Sequence, residues 1–209
     1  MSKGVATGYP RADITGVVLA GGRGRRMGGV DKGLIPLADK PMVAHVLAAL
    51  APQVATIVVN ANRNLDQYSA FGYRVAADPI GDYYGPLAGM VGAMEIAATK
   101  YVLTVPCDSP LMACDLVARL YQALSHERAE IGVAHDGERL HPVFTLLQCD
   151  LLPSLYEYLQ SGERKIDRWF ARHKVAIAYF ADEAETFINV NNPEERAAVE
   201  ARLVQVRLC

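Results

Sequence analysis

Short apolar runs alternate along this chain with segments whose apolar residues recur at helical spacing. The apolar runs have the length of buried strands and cover residues 15–20, 56–60, 73–78 and 101–105, while the helical patterns cover residues 42–50, 87–98 and 116–124. Strands that alternate with helices in this way form a mostly parallel sheet, because the helices carry the crossovers between neighbouring strands. The sequence therefore predicts an α/β, Rossmann-like fold with helices on both faces of the sheet.

The second half of the chain is less regular. It predicts strands over residues 131–134, 142–147 and 175–180, a helix over 151–159 and a last helix that opens at Pro193. No repeat, low-complexity block or linker interrupts it. We therefore expect a flexible tail over residues 1–13 and one domain over residues 14–209, with a nucleotide-binding first half and a substrate-binding second half.

Composition excludes several classes of protein. The 209 residues carry a formal net charge of −2 and 51% are apolar, which is ordinary for a globular chain. This near-neutral charge gives no reason to expect nucleic acid or an anionic membrane as a partner, and no apolar run approaches a membrane span. The first 13 residues lack the apolar region of a secretory signal. Four cysteines without C-x-x-C spacing are expected to be reduced thiols of a cytoplasmic protein.

A glycine-rich, cationic segment follows the first predicted strand. Five of the twelve residues from Gly21 to Lys32 are glycine, and four are the cations Arg23, Arg25, Arg26 and Lys32. Glycines at this position expose backbone N–H groups, and cations added to them favour a polyphosphate ligand. The alternative is a flexible loop with solvated arginines. Neither the Walker A nor the dinucleotide-binding glycine pattern fits this segment.

Three polar residues, Asn60, Asp78 and Asp108, stand where predicted strands end. Ligands of parallel sheets bind at the carboxyl ends of the strands, so these side chains are expected on the same rim as the glycine-rich segment. Each also has a structural interpretation as a turn or helix cap. For Asp108 we favour a metal role, because a carboxylate beside a polyphosphate needs a cation such as Mg²⁺ between them.

These residues resemble the signature of the molybdenum cofactor guanylyltransferases, the MobA family. The opening motif reads Leu-Ala-Gly-Gly-x-x-x-Arg-Met-Gly-Gly-x-Asp-Lys from Leu19 to Lys32. Further matches, in the family's order and spacing, are Val-Val-Asn-Ala-Asn at 58–62, Gly-Pro-Leu-Ala-Gly at 85–89, Pro-Cys-Asp at 106–108, His-Asp-Gly-Glu-Arg at 135–139 and Asn-Val-Asn at 189–191. The resemblance spans nearly the whole chain, from about Ile14 to Arg202.

The resemblance implies transfer of GMP from GTP to Mo-molybdopterin, with Mg²⁺, to form the guanine dinucleotide cofactor and pyrophosphate. It also implies a set of site residues. Leu19, Ala20, Gly21 and Gly22 would contact GTP through the backbone, Lys32 would bind its phosphates, Asn60 and Asp78 would bind the nucleotide, Asp108 would bind Mg²⁺ and nucleotide, and Asn189 and Asn191 would handle the pterin substrate. Arg26 is the arginine of the matched signature and joins Lys32 and Asp108 as a catalytic candidate.

Several alternatives stay open at this point. Asp78 would favour GTP if it accepts hydrogen bonds from guanine N1–H and the 2-amino group, but it would instead cap a turn if backbone amides select the base. His141 would either hold the second substrate or make a structural hydrogen bond. Alternative functions are a cytidylyltransferase, a sugar-phosphate nucleotidyltransferase and a non-catalytic GTP-binding homologue. Other molybdenum cofactor biosynthesis proteins and acceptor apoenzymes are expected partners, because a labile pterin is better handed over than released.

Overall fold

The computed structural model describes residues 8–20, 30–79 and 85–203 of the chain. Its strands are β1 (Ile14–Leu19), β2 (Pro36–Leu37), β3 (Lys40–Pro41), β4 (Thr56–Asn60), β5 (Arg74–Ala76), β6 (Tyr101–Pro106), β7 (Ile131–His135), β8 (Leu140–Gln148) and β9 (Val175–Tyr179). Its α-helices are α1 (Met42–Leu50), α2 (Leu65–Ser69), α3 (Pro86–Ile96), α4 (Leu116–Glu127), α5 (Leu152–Gln160), α6 (Ile166–Phe170) and α7 (Pro193–Leu203).

Seven strands form one sheet in the order β5-β4-β1-β6-β8-β7-β9, while β2 and β3 form a separate hairpin. The pairs β1–β4, β1–β6, β4–β5 and β7–β9 are parallel, and β8 is antiparallel to both of its neighbours. The short connection between β7 and β8 explains the antiparallel pairing, because a parallel pair needs a long crossover. The predicted mostly parallel α/β sheet is confirmed, and the carboxyl ends of β1, β4, β6 and β7 share one edge.

Helices cover both faces of this sheet, as the sequence predicts. On β1, Val18 packs into the core that contains residues of α1 and α4, whereas Val17 packs into the core that contains residues of α3 and α5. Side chains alternate between the two faces of a strand, so a continuous apolar run is needed when both faces are covered. This burial on both faces fixes the strand ends that carry the polar residues.

The described part of the predicted tail, residues 8–13, packs against the domain. The Tyr9 hydroxyl donates to the Gln53 carbonyl at 2.9 Å, and the Arg11 guanidinium donates to the Ala51 carbonyl at 3.3 Å. Residues 1–7 lie outside the described residues. Contact therefore begins before residue 14, the predicted start of the domain.

The cysteines differ from the sequence prediction. Cys107 and Cys149 are free thiols, but Cys114 is disulfide-bonded, so the prediction that all four cysteines are reduced is wrong. Burial raises the pKa of the Cys107 thiol well above its usual value, and it raises the pKa of Cys149 to about 11. Both free thiols are therefore protonated near neutral pH. None of the helices within the described ranges is both long and apolar enough to cross a membrane.

Candidate active site

The ends of β1, β4 and β6 meet at one level of the sheet. Leu19 pairs in register with Asn60 on one side and with Pro106 on the other. Beyond the strands, the Ala20 N–H donates to the Asn60 carbonyl at 2.8 Å and the Cys107 N–H donates to the Leu19 carbonyl at 3.0 Å. Backbone pairing thus aligns the residues that precede the glycine-rich segment with those that precede Asp108.

Part of the predicted phosphate-binding segment lies outside the described residues. This concerns Gly21 and Gly22, predicted to bind GTP, and Arg26, predicted to be catalytic, together with the neighbouring Arg23 and Arg25. The described residues begin again at Val30. Of the four cations predicted in this segment, Lys32 is therefore the one whose position the structure describes.

Lys32 lies between two of the predicted site residues. Its ammonium donates to Asp108 Oδ2 at 3.2 Å and to Asn191 Oδ1 at 2.6 Å. Lys32 opens the 3₁₀ turn Lys32–Leu34, whereas Asp108 follows β6 and Asn191 precedes α7. Residues from three distant parts of the chain, one acid, one base and one amide, therefore converge on one point of the rim.

The loop that carries Asn189 and Asn191 is bound directly to the Asp108 segment. The Val190 N–H donates to the Asp108 carbonyl at 3.0 Å, and the Ser109 hydroxyl donates to Asn189 Oδ1 at 2.5 Å. Asn191 is held from the other side, because its N–H donates to the Glu195 carboxylate at 2.6 Å. The predicted acceptor-substrate residues are thus adjacent to the predicted metal ligand.

The helix cap at the start of α7 supports this arrangement. Asn192 Oδ1 accepts a hydrogen bond from the Glu195 N–H at 2.8 Å, while the Glu195 carboxylate accepts from the Asn191 N–H. This reciprocal pattern closely resembles a capping box, in which a side-chain acceptor and a glutamate satisfy unpaired N–H groups at a helix start. Capping therefore fixes the backbone from which Asn191 reaches Lys32.

Asn60 and Asp78 bind each other at the other end of the rim. Asn60 Nδ2 donates to Asp78 Oδ1 at 3.0 Å, and Asn62 Nδ2 donates to Asp78 Oδ2 at 2.7 Å. Asn60 is buried, and Asp78 is half-buried. A carboxylate oxygen can accept two hydrogen bonds, so Asp78 keeps acceptor capacity for a ligand while these two amides fix its orientation.

Gly89 on α3 allows the helix to approach this pair. A Cβ at Gly89 would lie 2.4 Å from Asn60 Oδ1 and 2.8 Å from Leu19 Cδ2. Both distances are too short for a non-bonded contact, so glycine is the residue that permits this packing. The Gly-Pro-Leu-Ala-Gly motif at 85–89 therefore packs directly against Asn60, at the rim where the nucleotide is predicted to bind.

His141 makes contacts with the surrounding fold. It is buried, its Nε2 lies 2.6 Å from Asp136 Oδ2, and its ring stacks on Phe187 at a centroid distance of 4.2 Å. The Arg139 N–H, followed by the His141 ring and the Glu138 N–H, holds the pKa of Asp136 well below its usual value. These contacts favour the structural alternative for His141 over direct binding of the second substrate.

Sequence reasoning gave no role to Asp31, which the structure places in the core beside Lys32. Its carboxylate is 6% exposed and accepts from the Tyr68 hydroxyl at 2.6 Å and from Asn64 Nδ2 at 3.0 Å. The sequence contains one weak signal for such a role, which is that Asp31 is the one acidic residue between Gly21 and Lys32.

The donor atoms near Lys32 fit a hard divalent cation. Asp108 offers a carboxylate and Asn191 an amide oxygen, and both already face the positive charge of Lys32. Mg²⁺ is commonly held by one or two carboxylates, with phosphate oxygens and water completing its coordination. Among the described residues there is no group of three or more His, Cys, Asp or Glu side chains that would hold a metal alone. This small donor set agrees with a metal site whose remaining ligands come from a bound nucleotide.

Comparison with known proteins places the chain among nucleotidyltransferases. A family model described as "MobA-like NTP transferase domain" matches residues 16–177. A protein of Shewanella pealeana named molybdenum cofactor guanylyltransferase is 49% identical over 185 residues, covering 88% of this chain and 92% of the relative. A protein of the same name from Shewanella sediminis is 49% identical over 183 residues, covering 88% and 93%.

A solved structure has the same fold at much lower sequence identity. Molybdopterin-guanine dinucleotide biosynthesis protein A from Archaeoglobus fulgidus superposes with a TM-score of 0.74 at 20% identity, covering 92% of this chain and all of that one. At this identity the likeness supports the fold alone. It agrees with the seven-stranded sheet described above.

Proposed function

This chain belongs to the MobA-like NTP transferase family, and from that membership we propose that it transfers GMP from GTP to Mo-molybdopterin, forming Mo-molybdopterin guanine dinucleotide and pyrophosphate. The observation that carries the proposal is the meeting of Lys32, Asp108 and Asn191 at the rim where β1 and β6 end. The near-half identity to relatives named molybdenum cofactor guanylyltransferase supports the choice of reaction within the family.

The reaction requires one phosphate to attack another. Both groups are anions, so catalysis depends on in-line positioning and on neutralising charge rather than on a protein nucleophile. The acceptor phosphate is already ionised near neutral pH, and no general base is needed. Lys32 binds the phosphates of GTP and offsets the charge of the departing pyrophosphate, with Arg26 of the matched signature as its partner.

Asp108 is the residue that would hold Mg²⁺, with Asn191 Oδ1 as a nearby oxygen donor. When bound, the ion supplies charge stabilisation to the phosphate oxygens. Asp108 lies beside Lys32, so one side chain would bind the metal while the other binds phosphate directly. These two roles need a carboxylate beside an ammonium group, and the contact between Asp108 and Lys32 provides that pair.

Asp78 is the proposed base-recognition residue. Asn60 and Asn62 hold its carboxylate with both oxygens occupied by one amide donor each, which leaves lone pairs for guanine N1–H and the 2-amino group. Adenine and cytosine do not offer that pair of donors. Leu19 and Ala20 stand beside Asn60 and would contact GTP through their backbone, as Gly21 and Gly22 would further along the chain.

The acceptor is proposed to bind next to Asp108, at Asn189 and Asn191. These residues are hydrogen-bonded to the Asp108 segment, so an acceptor held there would lie beside the residue that would hold the metal. Other molybdenum cofactor biosynthesis proteins and acceptor apoenzymes would receive or supply the pterin.

The proposed location of this chain is the cytoplasm, because its proposed substrate GTP is present in that compartment.

The test is release of pyrophosphate by the purified chain with Mg²⁺, offered GTP or CTP, with and without Mo-molybdopterin. We expect release with GTP only when Mo-molybdopterin is present. Preference for CTP would identify a cytidylyltransferase, and release with a sugar phosphate as acceptor would identify a sugar-phosphate enzyme. GTP binding without product would identify a non-catalytic homologue.

A further inference from the structure

The buried carboxylate of Asp31 has no part in the reaction described above. Asp31 is 6% exposed, and both of its carboxylate oxygens have partners between residues 63 and 68. The Tyr68 hydroxyl donates to Oδ1 at 2.6 Å, Asn64 Nδ2 donates to Oδ2 at 3.0 Å, and Arg63 Nε lies 3.5 Å from Oδ2. We call Arg63, Asn64 and Tyr68 the Asp31 clamp.

A buried carboxylate is costly unless it is paired and hydrogen-bonded, and an apolar side chain of similar volume often gives equal stability. Stability alone is therefore a weak reason for this arrangement. A role in fixing a neighbouring group is a stronger one, because directional hydrogen bonds to both oxygens define one orientation of the chain at Asp31.

The neighbouring group is Lys32. The Asp31 backbone is extended, with φ −77° and ψ 110°. Successive side chains of an extended backbone point in opposite directions. The Asp31 carboxylate is directed to the clamp, and the Lys32 ammonium is directed to Asp108 and Asn191.

Gly33 completes the restraint. A Cβ at Gly33 would lie 2.5 Å from the Tyr68 hydroxyl oxygen and 3.3 Å from Cys107 Sγ, so the backbone at Gly33 packs closely against both side chains. The Leu34 N–H also donates to the Asp31 carbonyl at 3.1 Å. The chain next to Lys32 thus packs against Tyr68 of the clamp and against Cys107, the residue before Asp108.

We propose that the Asp31 clamp acts through Asp31 to hold Lys32 in the position that binds the GTP phosphates, which makes Asp31, Asn64 and Tyr68 positioning residues for the nucleotide. This inference rests on the proposed function, because it assumes that Lys32 binds phosphate. The clamp follows β4, the strand that ends at Asn60. It therefore joins the two parts of the nucleotide site, since β4 carries Asn60, which holds the proposed base-recognition residue Asp78, and Lys32 is the proposed phosphate-binding residue.

Tyr68→Phe tests the clamp, and Tyr158→Phe is its matched control. Both tyrosines are fully buried, and each donates one hydroxyl hydrogen bond, at 2.6 Å to Asp31 Oδ1 and at 2.7 Å to the Lys165 carbonyl. Tyr158 lies on α5 and packs in the core cluster that contains Trp169 and Phe170 of α6, whereas Tyr68 packs in the other core cluster. We expect both variants to lower the thermal midpoint, but only Tyr68→Phe to weaken Mg·GTP binding, by about tenfold in a titration with a fluorescent GTP analogue.

A double-mutant cycle with Lys32→Ala separates positioning from general damage. If Tyr68 acts through Lys32, then Tyr68→Phe weakens GTP binding in the unmodified chain but adds no further loss on the Lys32→Ala background. Asn64→Gly provides a second variant, because Asn64 is exposed and has φ 53°, a conformation that glycine accepts. This variant removes the hydrogen-bond donor to Asp31 Oδ2 without changing a buried side chain.

Two results would overturn the inference. One is equal GTP affinity in the Tyr68→Phe, Asn64→Gly and Tyr158→Phe variants, and the other is a full additional loss when Tyr68→Phe is combined with Lys32→Ala. Failure of the unmodified chain to bind GTP would be a different outcome, because it refutes the proposed function and the inference together.

Discussion

The Lys32 ammonium lies 3.2 Å from the Asp108 carboxylate, although 76 residues separate them in the chain. Lys32 follows the glycine-rich segment, and Asp108 follows β6, the strand next to β1. The pair places the proposed phosphate-binding cation and the proposed metal-binding carboxylate within one contact of each other. A nucleoside triphosphate with its divalent ion would meet both charges at this point of the rim.

Removal of the cation is expected to affect binding and turnover together. Lys32→Ala should weaken GTP binding about 10- to 100-fold, because a hydrogen bond to a charged group is worth about 1.5–3 kcal/mol. The turnover number should fall as well, since the leaving pyrophosphate loses its partner. Steady-state kinetics measure both effects. Lys165→Ala, a change at an exposed lysine beside α6, is the control, and unchanged kinetics for Lys32→Ala would contradict the assignment.

Recognition of guanine by Asp78 predicts a preference for GTP over inosine triphosphate, which lacks the 2-amino group. The unmodified chain should bind GTP about tenfold more tightly than inosine triphosphate, because inosine triphosphate would lack one charge-assisted hydrogen bond to Asp78. Asp78→Asn should remove most of this preference, because an amide no longer accepts both hydrogen bonds. Competition titrations give the ratio. An unchanged ratio in Asp78→Asn would mean that backbone amides select the base.

The close approach of α3 predicts that Gly89→Ala damages the site and the fold. The added methyl group would stand 2.4 Å from Asn60 Oδ1, so Asn60 or the helix must move. Overpacking of this kind costs about 1–3 kcal/mol, and displacement of Asn60 should also weaken GTP binding. Denaturant unfolding and a GTP titration measure the two losses.

Gly16→Ala is the control for this change. Its methyl group would lie 2.8 Å from Leu50 Cδ2, so it crowds the core near the start of β1 without contacting Asn60. Loss of stability with retained GTP affinity is expected for Gly16→Ala. Equal loss of affinity in both variants would show that Gly89 has no specific connection with the nucleotide.

The low pKa of Asp136 predicts an acid-dependent contribution to stability. The Arg139 N–H and the other donors to Asp136 favour its charged form in the folded chain, whereas an unfolded chain has a pKa near 3.8. The folded chain thus binds fewer protons there, and the stabilisation is present above the unfolded pKa and is lost as the pH falls towards the folded pKa.

Thermal midpoints of the unmodified chain and Asp136→Asn test this prediction. The difference between them should be largest above about pH 5 and should shrink as the pH falls below about 4. A difference that stays constant over this range would show that the charge of Asp136 does not contribute. GTP affinity at neutral pH is the accompanying control, because the Asp136 carboxylate is bound by His141 and by the backbone N–H groups of Glu138 and Arg139.

The sequence predicted the sheet because the evidence for it is local. The alternation of Val17 and Val18 between two cores requires a continuous apolar strand, and such a run is visible without any knowledge of its neighbours. The meeting of Lys32 and Asp108 was also predictable, because the carboxyl ends of adjacent parallel strands share an edge.

Other parts of the site depend on packing that a local pattern does not contain. Asn191 reaches Lys32 across 159 residues through a loop held by the cap of α7. Asp31 meets Tyr68 only because α2 packs against residues 31 and 33, and no spacing in the sequence indicates that contact. The disulfide at Cys114 was likewise missed, because its sequence context has no disulfide signature.

The role of Asp108 gives the most direct test. Initial rates of pyrophosphate release with GTP, Mg²⁺ and Mo-molybdopterin should fall at least about 100-fold in Asp108→Asn, the scale of losing a principal electrostatic contact. Asp182→Asn, a change at an exposed acid, should keep the rate of the unmodified chain. Loss of activity with an unchanged thermal midpoint is the predicted result, and full turnover by Asp108→Asn would contradict it.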